Sequence, residues 1–336
     1  MTFIVTGAAG FIGSNLIKAL NARGEKKIIA VDDLRDGDKF RNLADLEIDD
    51  YIDKKDLLKA FTDGWWGTIR AVFHEGACTN TMENNGAYMM EANYQFSNDL
   101  CTIADAQKVA FIYASSAAVY GHSAAFEEKR INEHPLNVFA YSKFLCDQYK
   151  RGHIESKTHS AQLVGLRYFN VYGPQESHKK NTSSMVFQLL QQYQSQGYVN
   201  LFGAFESYEA GEQRRDFVTV DDVVKVNLFF LDHPELSGIF NVGTGKSYSY
   251  NDVARESVNA LRTTAGLSTL SLADMVKQEL IRYIPFPQNL RGKYQSFTQA
   301  NIEQLRTVGY TDSFTDIKQG IPSYSQWLMT HPEFFY

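Results

Sequence analysis

Cysteine is scarce in this chain. Cys78, Cys101 and Cys146 are the only three in 336 residues, and their scatter offers neither a CxxC metal pair nor an even disulfide framework. A reducing compartment is therefore expected. Long apolar runs are missing too, since no stretch approaches the ~20 residues that cross a bilayer as a helix. No basic region followed by an apolar one opens the chain, where TFIVTG reads at once as a strand. A surplus of positive charge is also absent: 33 Lys and Arg against 39 Asp and Glu give a net charge of −6. That balance weighs against a general nucleic-acid surface, which needs cations to meet phosphates. A nucleotide pocket needs only a few local cations and stays open. There is no internal repeat and no low-complexity linker. The residues are 44% hydrophobic, enough for a sizeable core in one large or two modest domains. A soluble, cytoplasmic protein is the expectation.

The first half alternates between two periodicities. FIVTG is an apolar run, and the segment after it carries Leu16, Ile17 and Leu20 at helical spacing. KKIIAVDD, RAVFHEGA and VAFIYASSA read as further strands, with a helix expected over 88–107. Strand, helix and strand at this spacing predict βαβ units and a parallel sheet. The second half is less regular. LVGLRYFNVYGP reads as a strand entering a loop, 185–196 as a helix, VDDVVKVNLFFLDHP as a helix opening on acids, and SGIFNVGTG as a strand and turn. Between them FGAFESYEAGEQRRDFV is long for a connector, and such loops are often functional.

TGAAGFIGS joins the first strand to the first helix. Gly7 suits the tight turn, Gly10 the close approach of a pyrophosphate, and Gly13 the packing of helix on strand. Phosphate would then face the free N–H groups of a helix N-terminus. An acid about 20 residues on completes the dinucleotide pattern, and Asp32 and Asp33 stand there. A carboxylate at this place accepts ribose hydroxyls and repels a 2′-phosphate. Arg35, Lys39 and Lys54 lie close enough in sequence to hold such a phosphate. The acids favour NAD and the bases NADP; the reading adopted is NADP, with NAD as the alternative.

TGxxGxxG, HEGAC (74–78), YASSAAVYG (113–121) and RYFNVYGP (167–174) together resemble the extended short-chain dehydrogenase/reductase family. YMM, PLNV, YSKF, YIPFP and GKYQSFTQA resemble its nucleotide-sugar epimerases, and the likeness runs from residue 1 to about 330. It implies a Rossmann-type doubly wound parallel α/β sheet with a smaller, interleaved α/β substrate domain. The larger unit would take residues 1–169 with about 216–245 and 283–300; the smaller would take about 170–215, 246–282 and 301–336. It further implies NADP-dependent epimerisation at C6 of an ADP-activated heptose through a transient ketone, serving lipopolysaccharide core synthesis. A homo-oligomer, with a pentamer as one form, is implied as well. Position by position, Gly7, Gly10, Phe11, Ile12 and Gly13 would lie along the pyrophosphate. Asp32, Asp33, Lys39 and Lys54 would surround the adenosine end. Glu75, Gly76, Ala77, Cys78, Thr79, Asn93 and Val171 would line the cofactor, and Lys143 would hold the nicotinamide ribose. Ser116 would hydrogen-bond the reacting oxygen. Lys179 would be a second base near cofactor and sugar. Asn170, Asn181, Gln188, Phe202, Gly203, Ala204, Phe205, Arg215 and Tyr294 would contact substrate. No metal is implied.

One position departs from the pattern. The family's motif is Tyr-x-x-x-Lys, and here the same spacing joins Phe139 to Lys143. A phenol beside an ammonium can take a hydroxyl proton because the ammonium lowers its pKa. Phe139 has no hydroxyl. Tyr141 is two residues from the lysine, roughly 200° around a helix, and is expected on another face. The segment that reads HKGxMAS in the relatives reads HKKNTSS here, so Lys180 and Asn181 follow Lys179. Three readings stay open: the heptose epimerase with reduced activity, another nucleotide-sugar epimerase or dehydratase, and a protein that binds NADP and a nucleotide sugar with little turnover. Ala117 and Ala118 follow Ser116 where dehydratases carry an acid pair, which counts against elimination.

Overall fold

The computed structural model describes residues 1–335. In chain order the elements are β1 (Thr2–Thr6), α1 (Phe11–Ala22), β2 (Ile28–Asp32), β3 (Asp50–Asp53), α2 (Lys54–Thr62), β4 (Ile69–His74), α3 (Gly86–Met89), α4 (Phe96–Ala106), β5 (Ala110–Ser116), α5 (Val138–Ser156), β6 (Leu163–Tyr168) and β7 (Asn170–Tyr172). There follow α6 (Met185–Gln196), β8 (Val199–Phe202), β9 (Arg214–Arg215), β10 (Phe217–Thr219), α7 (Val220–Asp232), β11 (Gly238–Val242), β12 (Tyr248–Ser249), α8 (Tyr250–Thr264), α9 (Leu272–Lys277), β13 (Ile281–Ile284), α10 (Glu303–Thr307) and α11 (Ile317–Thr330).

Seven strands form one parallel sheet in the order β11-β6-β5-β4-β1-β2-β3. Its inner strands are apolar on both faces, as β1 shows with all five residues buried, because helices cover both sides. Leu16, Ile17 and Leu20 of α1 and Val223 and Val226 of α7 pack on one face. Leu57 and Ala60 of α2 and Leu100 and Ala104 of α4 pack on the other. Burying each leucine, isoleucine or valine among them is worth ~1.5–3 kcal/mol, which holds the helices on both faces. The strand sequence reverses between β1 and β4. The loops leaving their C-terminal ends part there, opening the crevice where sheets of this type bind ligands.

A second apolar cluster gathers Val186, Phe187 and Leu190 of α6, Val253 and Val258 of α8, and Ile317, Ile321 and Tyr324 of α11, with β8 and β13. Small sheets pair β7 with β10, β8 with β13, and β9 with β12. Ile281–Ile284 thus pairs with β8 beside this second cluster. Leu305 and Tyr310, from the C-terminal segment, pack in the core of the large sheet instead. The helix expected over 88–107 is present with an interruption: Met90–Gln95 winds as a π-helix between α3 and α4. Such turns mark functional sites in many folds. Among the described residues, no helix is long and apolar enough to cross a membrane.

Candidate active site

The glycine loop is held by contacts that only glycine allows. Gly7 has φ +64°, and a Cβ there would meet the Gly76 backbone at 2.8 Å. A Cβ on Gly13 would lie 2.2 Å from the Gly7 carbonyl oxygen. The first turn of α1, with Phe11 and Ile12, starts at Gly10 with no side-chain cap and no acid. Its N–H groups and the positive end of its dipole are left for an anion. This cradle fits a dinucleotide pyrophosphate.

At the end of β2 the two carboxylates are already engaged. Asp32 accepts the Ala9 N–H through Oδ2 at 2.8 Å and pairs with the Lys39 ammonium through Oδ1. It therefore fastens the glycine loop. Asp33 pairs with Arg35 at 2.6 Å and Lys54 at 2.8 Å. The hydrogen bond from Arg35, helped by Lys54, holds the Asp33 carboxyl well below the ordinary range. Two acids thus meet three cations at the end of β2.

Residues 75–79 leave β4 along the crevice. Asn93, inside the π-helix, donates to Cys78 O at 3.0 Å and to Ser142 Oγ at 3.1 Å, and accepts from Cys78 N at 2.8 Å. Its amide is spent on this loop and on α5, so it acts on the crevice through Cys78. Val171, on β7, packs against the core of the large sheet.

Beyond the crevice lies a cleft of about 320 Å³ whose lining includes Ser116, Phe139, Tyr168, Asn170, Arg215 and Tyr294. The end of β5 places Ser116, whose Oγ accepts from Ala118 N at 3.1 Å and whose own proton has no acceptor among the described residues. Asn137 caps α5 by accepting from Ala140 N at 2.8 Å, which sets Phe139 and Lys143 one turn apart. Phe139 is 7% exposed. Lys143 donates to Ala114 O at 2.7 Å, and burial pushes its pKa down. Tyr141 is 46% exposed and stacks on Phe144, with ring centroids 6.0 Å apart, off the cleft.

Arg215 is buried, with its guanidinium 4.8 Å from the centre of the Tyr294 ring. Asp216 is no partner for it. That carboxylate accepts from Thr244 N at 2.8 Å, Gly245 N at 2.9 Å and Ala300 N at 3.0 Å. Among the described residues Arg215 has no ion pair, and the one hydrogen bond of its guanidinium runs to Arg214 O at 2.9 Å. Phe202 and Phe205 form an aromatic group with Phe286 behind Tyr294; Phe205 lies flat on Phe286 at 3.7 Å. Gly203 is fixed by its N–H to Ile284 O at 2.7 Å, and Ala204 beside it is exposed.

Lys179 lies outside this cleft lining. Its ammonium stands 5.5 Å from the Phe11 ring, against the glycine loop, and burial lowers its pKa. Its loop is fastened there: Ser14 donates to Gln175 Oε1 at 2.8 Å, and Asn42 Nδ2 lies 3.2 Å from His178 Nδ1. Lys180, in the glycine position of the relatives' motif, takes φ 50° and ψ −122°. Gln188 donates to Ser183 O at 2.8 Å and to Asn181 O at 3.4 Å, so its amide closes its own loop. The structure adds Thr81, Asn137, Tyr168, Lys293 and Gln295 to the cleft wall. All but Thr81 sit in motifs visible in the sequence, PLNV, RYFN and GKYQ, where no spacing rule singles them out.

Residues 3–243 match the NAD dependent epimerase/dehydratase family, and the chain belongs to it. Among solved structures it is similar to the ADP-L-glycero-D-manno-heptose-6-epimerase of Helicobacter pylori, at 32% identity and a TM-score of 0.79 over 98% of this chain and 96% of that one. It shares its fold with a UDP-N-acetylglucosamine 4-epimerase from Methanobrevibacter ruminantium (23% identity, TM-score 0.79, 98% of each chain). The same holds for a Thermus thermophilus UDP-glucose 4-epimerase solved with NAD (23% identity, TM-score 0.73, 97% of this chain and 98% of that one).

Proposed function

We propose that this protein inverts C6 of ADP-D-glycero-D-manno-heptose, with NADP as its resident cofactor. Arg215 carries the reading: a buried guanidinium without an ion pair, in the wall of the cleft that holds Ser116, suits the diphosphate of a nucleotide sugar. Similarity to the heptose epimerase over nearly the whole chain favours heptose over hexose. The cofactor, when bound, accepts a hydride from the carbinol carbon and returns it.

The chain's own groups do the rest. The uncapped end of α1 and Gly7, Gly10 and Gly13 cradle the pyrophosphate. Lys39, Arg35 and Lys54 attract the 2′-phosphate that separates NADP from NAD. Lys143 orients the nicotinamide ribose and supplies positive charge. Ser116 donates its free proton to the reacting oxygen and steadies the ketone. Arg215, backed by Tyr294, anchors the nucleotide while the sugar turns to offer its other face. Phe139 supports a second reading, a binder of NADP and nucleotide sugar with little turnover, because the phenol oxygen is missing there. Incubation with ADP-D-glycero-D-manno-heptose, followed by proton NMR at C6, separates the two. Accumulation of the L-glycero isomer supports the epimerase, and an unchanged spectrum with tight sugar binding supports the binder.

A further inference from the structure

With no phenol at 139, the hydroxyl proton needs another destination. Glu75 follows β4 at the crevice, and half of its carboxylate is unused. Oε1 accepts the Tyr168 hydroxyl at 2.9 Å; Oε2 is out of contact with solvent and has no hydrogen-bond partner among the described residues. Buried polar atoms are nearly always satisfied, so an orphaned carboxylate oxygen beside a cofactor site calls for a role. Tyr168 lines the cleft together with Ser116 and Phe139. Its direction of donation is fixed. Asn227 Nδ2 donates to the Tyr168 oxygen at 2.9 Å and to Val223 O at 3.0 Å, so the phenol's own proton points to Glu75.

We infer that Tyr168 and Glu75 form the proton-accepting pair of this cleft, in place of a phenol at 139. The step balances. With an oxidised nicotinamide bound to take the carbinol hydride, the O–H bond would break and its proton would pass to the Tyr168 oxygen. The proton of Tyr168 passes to Glu75 Oε1, leaving a neutral acid. On the return the acid gives its proton back through Tyr168 to the sugar oxygen. The groups acting on Glu75 are Tyr168 on β6 and Lys143 on α5, with Asn227 on α7 behind the phenol. Burial pushes Glu75 up to about 7, against the opposing effects of Tyr168 and Lys143, so it can hold or release a proton near neutrality.

The inference rests on the epimerase reading, and the test separates the two. Infrared difference spectra of the NADP-loaded protein against Glu75→Gln would follow the Glu75 carboxyl with pH. Steady-state rates would be measured for Tyr168→Phe, alone and with Phe139→Tyr. The carboxyl is expected to titrate near 7 and to move upward in Tyr168→Phe, which removes a bond to the ionised form. Tyr168→Phe should lower kcat about 10²-fold with KM unchanged, and an added Phe139→Tyr should restore most of that loss. A Glu75 ionised throughout the neutral range, or a Tyr168→Phe protein with normal kcat, overturns the pair. Should the wild type prove inert towards the heptose, the epimerase reading fails. The titration alone then decides, with a neutral-range pKa upholding the pair as a proton store and an ionised Glu75 overturning it.

Discussion

Phe139→Tyr adds one oxygen at the site where relatives carry a phenol. The ring already sits in the cleft wall at 7% exposure, one helical turn from Lys143, so the new hydroxyl is added to that wall without a backbone change. General acid–base groups contribute about 10²–10⁴ in rate. The lower end, about 10²-fold in kcat, is expected here, because the Tyr168–Glu75 pair already carries part of the work. In the absence of sugar, a buried hydroxyl left unpaired costs ~1–3 kcal/mol. For a chain of 336 residues, at ~2.1 cal/mol/K of unfolding entropy per residue, each kcal/mol shifts Tm by roughly 1.4 °C, so Tm falls by about 1–4 °C. The assay is the initial rate of C6 inversion by NMR beside a thermal melt of each protein. An unchanged kcat in a protein that melts within a few degrees of the wild type would refute the placement of residue 139 beside the reacting oxygen.

Lys54→Ala should weaken NADPH about tenfold (~1.4 kcal/mol) and leave NADH almost untouched, because it removes one of three cations from the Asp32–Asp33 end. Fluorescence titration checks this, and equal weakening of both cofactors would contradict the 2′-phosphate assignment. His178→Gln concerns stability. Burial, with Lys179 and Lys39 nearby, lowers the folded pKa of His178 from 6.5 to about 4. Between those values the unfolded chain binds a proton that the folded one does not, so stability is lost as pH falls through that window. The variant should lose less Tm than the wild type between about pH 7 and 5; equal losses would count against it. Gly13→Ala places a methyl 2.2 Å from Gly7 O and should abolish cofactor retention on gel filtration, whereas normal retention would refute the role given to that contact.

Much of the fold was legible because its signals are local. Leu16, Ile17 and Leu20 marked α1 by period, and Met185–Gln196 is α6 as expected. The π-helix was not legible, since one extra residue per turn leaves the composition unchanged and shows only in the path of Asn93. At the site, the step from Phe139 to Lys143 followed from helix geometry, and Tyr141 faces away for the same reason. The Arg215 environment was not legible. Its neighbour Asp216 looks like a partner in sequence, but the turn at Thr244 and Gly245 takes that carboxylate. Glu75 and Tyr168 lie 93 positions apart, and only the adjacency of β4, β5 and β6 brings them together.

The proposed inversion at C6 removes one hydride and returns the same one. The most direct test uses ADP-D-glycero-D-manno-heptose carrying deuterium at C6, incubated in ordinary water with the NADP-loaded protein. The L-glycero product is expected, with the deuterium retained at C6. Deuterium lost to solvent, or a C6 configuration that never changes, would contradict it.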